Sequence, residues 1–184
     1  MQAKYLTTPF QIKEIGAGGI IAGYASVFDE IDAQSDVVAK GAFAKSLIKY
    51  KQGNNSPAML WMHDTAEPIG VWTQLKEDAR GLYVEGQLAL KTQGGADAYE
   101  LLKLRAITGL SIGYNTIKST KDSKTKIRTL TEVELFEVSL VTFPANVLAR
   151  IHTVKTPYVK SEINHSELQA IVMRLRNTAS LLKK

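Results

Sequence analysis

Apolar residues in this chain come in short runs cut by Gly, Pro, Asn and Asp, a punctuation that suits many short strands and does not suit a helical bundle. Leu82, Val84, Gly86 and Leu88 alternate with Tyr83, Glu85 and Gln87, which predicts a strand with one buried face. The polar segment 76–81 joins it to a run over 71–75, so the two form a hairpin. Another hairpin is expected where 10–15 and 20–28 flank Gly16-Ala17-Gly18-Gly19, residues that can supply positive φ. Leu110, Ile112 and Tyr114 alternate with Ser111 and Gly113, which sets Ser111 on a strand opposite the apolar side. Beyond Thr129 the alternation slips. Val133 and Leu135 hold odd positions and Phe136, Val138 and Leu140 even ones, so a β-bulge is expected near Leu135-Phe136. Phe143-Pro144-Ala145-Asn146 ends that strand.

Three segments have helical period. Residues 42–50 carry Phe43, Leu47 and Ile48 on one stripe, and 96–104 bring Tyr99 and Leu102, with nearby Ile107, onto the sheet before Thr108-Gly109 stops the helix. Residues 166–184 place Leu168, Ile171, Val172, Leu175, Ala179 and Leu182 on one face behind a Ser166/Gln169 capping box. The expected fold class is therefore α+β, mainly β. It comprises one domain over 1–154, a polar linker over 155–165 and a C-terminal amphipathic helix over 166–184.

Composition removes several functions. With 184 residues, 45% hydrophobic and 22% charged, the chain can bury a core and is not globally disordered. The absence of Cys excludes a thiol nucleophile, a disulfide framework and thiolate zinc sites. The net charge of +5 is spread along the chain except at 118–128 and the C-terminal end. Segment 117–128 reads as a solvated loop, and a nucleic-acid partner is not expected. Gly16-Ala17-Gly18-Gly19 lacks the Gly-Lys-Ser/Thr ending of a phosphate loop and the spacing of a dinucleotide fingerprint. His63, His152 and His165 lack His-x-x-x-His spacing, so neither metal nor cofactor is expected. The uncharged runs 16–28 and 138–149 fall short of the roughly 20 residues of a membrane span. The N-terminal stretch, without a basic and then apolar leader pattern, reads as mature protein.

Three side chains carry the candidate chemistry. His63 closes the apolar run 58–62, where a strand end holds an imidazole rigidly yet within reach; its commoner fate is a bond to a neighbour such as Asp64. Ser111 sits among small residues that let another chain approach, although a strand serine usually does nothing more. Glu137 lies inside the apolar run 135–141, where a carboxylate is costly unless a cation, donors or a bulge toward water accompanies it. Together they supply a base, a nucleophile and an orienting acid on three expected strands, a combination that geometry permits without requiring.

A series of blocks then resembles the prohead maturation proteases of tailed phages, an assemblin-like family of serine peptidases. They begin with Gly23-Tyr24-Ala25-Ser26-Val27-Phe28, Asp36-Val37-Val38, Lys40-Gly41-Ala42-Phe43 and Ser46-Leu47. Met59-Leu60-Trp61-Met62-His63-Asp64, Pro68-Ile69-Gly70 and Gly81-Leu82-Tyr83-Val84-Glu85-Gly86 follow. Gly109-Leu110-Ser111-Ile112-Gly113-Tyr114 and the block from Glu137-Val138-Ser139 to Phe143-Pro144-Ala145-Asn146 complete the order, over about 23–149. The resemblance implies a compact assemblin-like β-barrel flanked by short helices. It also implies a serine endopeptidase with Ser111 as nucleophile and His63 as base. Assemblin-like enzymes use a second histidine as the third member, whereas the corresponding strand here offers Glu137, whose apolar surroundings would hold a carboxylate against an imidazolium; His152, a histidine following the same strand, Glu134 and Glu132 are the rivals. The resemblance identifies no oxyanion donors; backbone amides of the loop around Pro144-Ala145-Asn146, or an arginine such as Arg128, could serve. The implied substrate is the scaffolding segment of the major capsid protein, or a separate scaffold protein, together with the protease itself, cut inside an assembling procapsid in the host cytoplasm. Self-association fits the same picture, and the rival function is a catalytically inactive structural or scaffolding component of the procapsid.

Overall fold

A computed structural model describes residues 18–155. The expected strand 10–15, the linker beyond 155 and the helix 166–184 lie outside the described residues. The elements run β1 (Ile20–Val27), β2 (Asp36–Val38), α1 (Ala44–Gly53), β3 (Ala58–Trp61), β4 (Asp64–Glu77), β5 (Gly81–Leu88), α2 (Gln93–Lys103), β6 (Gly109–Lys121), β7 (Arg128–Val141) and β8 (Ile151–Lys155). The protein is mainly β. Eight strands form one curled, half-barrel sheet in the order β2-β7-β3-β4-β5-β1-β8, with β6 on the other edge of β7. A single bridge, Gly109 to Arg150, ties the start of β6 to the entry of β8.

The hairpin of β4 and β5 follows the alternation. Leu82, Val84 and Leu88 enter the core, whereas Tyr83, Glu85 and Gln87 are only partly buried. Ile21, Phe43, Met59, Ile69, Leu110, Leu130 and Leu140 complete the centre of that core at 0–1% exposure. Both edges of β1 are taken, by β5 and β8.

One edge of β7 is covered by β6 along its length; the other is covered in three pieces. β2 pairs in parallel with Arg128–Leu130 and β3 with Glu137–Leu140. Between them α1 and the residues that lead into it take over. Val133 N–H donates to Ala42 O, the Ser46 hydroxyl donates to Val133 O and accepts from Leu135 N–H, and the Tyr50 hydroxyl donates to Leu135 O. A helix thus satisfies strand groups that would otherwise be orphaned. This corrects the stripe read for α1: Ser46 is the buried residue and Ile48 is 56% exposed.

Two other boundaries differ from expectation. α2 starts earlier, because Thr92 accepts from Gly95 N–H as its N-cap, and stops earlier, because Arg105 takes a positive φ of 57° just past Leu104. Segment 117–128 is solvated, but it is a β-hairpin tip rather than a plain loop. β6 and β7 pair out to Lys121 and Arg128, and Asp122 turns the chain by accepting from Lys124 and Thr125 N–H.

Candidate active site

The bulge in β7 decides where Glu137 goes. Gly113 faces Glu137 and Tyr114 faces Leu135, which leaves Phe136 unpaired. Without that extra residue Glu137 would follow Val133 and Leu135 into the apolar core. With it, Val138 and Leu140 take the core face, and Glu137 and Ser139 turn to the opposite one. Water is not the destination: Phe136 is 47% exposed, but Glu137 only 4%.

A buried carboxylate there needs partners, and it has them. Glu137 Oε1 lies 2.6 Å from His63 Nδ1, and Oε2 accepts from the Ser139 hydroxyl at 2.7 Å. Room for the carboxylate comes from Gly113, directly across the ladder. A Cβ on that residue would stand 2.2 Å from Oε1 and 2.7 Å from Cγ of Glu137.

His63 reaches Glu137 from a strained turn. Trp61 pairs with Asp64, so Met62 and His63 are the two central residues of the β3–β4 hairpin, with φ of 50° and 65°. These are the signs of a type I′ turn, which usually takes Asn or Gly. Here each left-handed residue costs roughly 1–2 kcal/mol. The turn is pinned to β7 in compensation, by Met62 N–H to Leu140 O at 3.0 Å and His63 N–H to the Ser139 hydroxyl at 3.2 Å. The imidazole remains 44% exposed. Asp64, the neighbour a histidine commonly bonds, instead accepts from Ala66 N–H.

Ser111 faces Ser139 across the β6–β7 ladder. Directly opposed residues share a face with Cβ atoms roughly 4.5–5.5 Å apart, so Ser111 stands beside the hydroxyl that touches both His63 and Glu137. The two serines differ in access: Ser139 is fully buried with its hydroxyl engaged twice, and Ser111 is only partly buried.

Of the rivals for the acid or for donor roles, Glu132, Glu134 and Arg128 are paired elsewhere. Glu132 pairs with Lys45 and Lys118, and Glu134 with Lys49. His152, on β8, packs edge-on against the Tyr24 ring of β1 with its Nε2 buried and without a hydrogen-bond partner among the described residues, and burial, with the Arg80 charge, holds its imidazole below the usual histidine range. Arg128 binds the buried Asp36 through Nε and Nη2, and Tyr114 donates to the same carboxylate. Burial, with the Asp36 charge, pushes the Tyr114 phenol up to about 12, so it stays a donor. At roughly 3.3 Å per residue, Arg128 lies about 25–30 Å along β7 from Glu137. In the Pro144-Ala145-Asn146 loop, Ala145 O accepts from Ala33 N–H and the Asn146 amide donates to Val27 O.

Residue type alone does not single out Ser139. The signal was there, because the slip in alternation that places Glu137 on the polar side must also place Ser139 two residues on. Clefts of about 430 and 310 Å³ flank α1, and His63, Ser111, Glu137 and Ser139 line neither of them. Among the described residues no helix is long and apolar enough to cross a membrane, and no three His, Asp or Glu side chains gather as a metal site.

The fold is similar to the structure of the bacteriophage T4 capsid assembly protease, with a TM-score of 0.57 at 14% identity over 74% of this chain and 94% of that one. In sequence the chain is 37% identical over 150 residues to the prohead protease of Enterobacteria phage HK97, covering 79% of this chain and 65% of that relative. It is 29% identical over 128 residues to the prohead protease of Escherichia phage T5, covering 68% and 58%. The chain thus spans about three fifths to two thirds of the length of these relatives. The model of the caudovirus prohead serine protease family matches residues 8–164, and the chain belongs to that family.

Proposed function

We propose that this protein is a serine endopeptidase that cuts scaffolding segments of a phage capsid, and itself, during procapsid maturation. The observation that carries the reading is the 2.6 Å contact between a half-exposed His63 and a buried Glu137, on the sheet face that Ser111 shares. Glu137 holds Nδ1, which leaves Nε2 to take the Ser111 proton as the hydroxyl attacks a peptide carbonyl. The carboxylate then stabilises the imidazolium, which gives its proton to the leaving amine. Water activated by the same imidazole hydrolyses the acyl-enzyme.

In this reading residues 1–154 form the protease domain, of the assemblin-like barrel type, followed by the linker 155–165 and an amphipathic helix over 166–184. Its partners are the scaffolding part of the major capsid protein, or a separate scaffold protein, and a second copy of the chain during self-cleavage. It works inside the procapsid, in the host cytoplasm. The test is the intact mass of wild type and Ser111→Ala over time at high concentration, alone and with the cognate capsid protein. Fragments from wild type only are expected. Stable full-length chains and uncut capsid protein in both samples would favour the inactive structural component instead.

A further inference from the structure

We propose that Ser139 is a positioning residue of this site, a fourth member that fixes the acid and the base in one hydrogen-bonded frame. The proposal rests on the pairing of His63 with Glu137 described above.

Ser139 is 0% exposed, so it is not an alternative nucleophile. Its hydroxyl has one proton and two lone pairs. The proton goes to Glu137 Oε2 at 2.7 Å, and one lone pair accepts His63 N–H at 3.2 Å. A single oxygen therefore sets two coordinates at once. It fixes the rotation of the carboxylate, whose other oxygen meets Nδ1, and it fixes the backbone of the turn that carries the imidazole. Both need external hold. Met62 and His63 stand in left-handed backbone, and in a 4% exposed residue Oε2 would otherwise lack a donor. Met62 N–H to Leu140 O pins the turn one residue away, but does not reach the carboxylate. Ser139 also lies opposite Ser111, so the frame and the nucleophile share one ladder position. Losing the hydroxyl frees the carboxylate to rotate and the turn to shift, and misplacement of about 1 Å is enough to cost roughly 100-fold in rate.

Two readouts test this on the full-length chain. The first needs no substrate: the low-field proton resonance of His63 Nδ1–H hydrogen-bonded to Glu137, recorded in a Ser111→Ala background that prevents self-cleavage. Ser139→Ala is expected to lose or markedly shift the resonance, and Ser139→Thr, which keeps the hydroxyl, to retain it. The second is turnover. Ser139→Ala should lower kcat roughly 10- to 100-fold with KM nearly unchanged, and Ser139→Thr should recover most of it. Ser139→Cys, of similar volume but with a weak donor, serves if the alanine variant does not fold, and the same loss is expected of it. A wild-type resonance and a kcat within about twofold of wild type in a folded Ser139→Ala or Ser139→Cys variant would overturn the proposal. If Glu137→Ala, which removes the acceptor altogether, also leaves the resonance in place, the His63–Glu137 pairing itself is wrong and this proposal falls with it; if only the Ser139 variants do, this proposal alone falls.

Discussion

Replacing Gly113 with alanine is expected to lower proteolytic turnover by roughly 100-fold or more, although the new methyl group touches neither Ser111 nor the scissile bond. The added Cβ would lie 2.2 Å from Glu137 Oε1, 2.7 Å from Cγ and 2.8 Å from Cδ, so rotation of the carboxylate alone does not clear it. The whole acid must retreat, and it is held on both oxygens in a place that is 4% exposed. It therefore leaves His63, or the β6–β7 ladder spreads. The stability cost is about 1–3 kcal/mol, the usual range for overpacking, so the variant should fold and fail in chemistry. A melting curve with a rate measurement checks this. A folded Gly113→Ala with a rate within about threefold of wild type would mean that Glu137 is not held where rate depends on it.

Glu137→Gln should cost more, roughly 10³- to 10⁴-fold, because the amide has no orientation that serves both neighbours. With the amide nitrogen toward His63, the ring must carry its proton on Nε2, the wrong tautomer to accept from Ser111. With the amide oxygen toward His63 the tautomer is right, but the amide N–H groups then face the Ser139 hydroxyl, which must abandon its donor role. In neither case is there a negative charge to hold the imidazolium. Single-turnover rates on a peptide taken from a mapped cleavage site measure this, and a loss below about tenfold would remove Glu137 from the mechanism.

Local pattern carried much of this fold. The alternation of Leu82 to Leu88 marks β5 because one face meets the core and the other meets solvent. The slip at Leu135-Phe136 marks the bulge because a strand cannot change its buried parity without an extra residue. What local pattern lacks is pairing across distance. β2 is three residues long and exists because it docks in parallel on Arg128–Leu130. β8 likewise forms against the start of β1. The burial of Ser46 comes from β7 backbone groups that no periodicity reveals. The Met62-His63 turn carries neither Gly nor Asn, and its positive φ values are held by bonds to β7 rather than by turn chemistry in the sequence.

The candidate site divides along the same line. His63, Ser111 and Glu137 were legible as residue types at the ends or on the polar sides of expected strands. Their juxtaposition depends on the parallel register of β3 on β7 and the antiparallel register of β6 on β7, which only the folded sheet supplies. The register also sets the roles of Gly113, which makes room, and Ser139, which holds the carboxylate.

The measurement closest to the central claim is covalent capture of the nucleophile. Wild type, His63→Ala and Ser111→Ala would be incubated with a fluorophosphonate, and the modified residue located by peptide mass spectrometry. The account predicts one adduct on wild type, at Ser111, with labelling slowed by at least roughly 100-fold in folded His63→Ala and absent in Ser111→Ala. An adduct on another residue, or labelling of Ser111 at the same rate with and without His63, would contradict it.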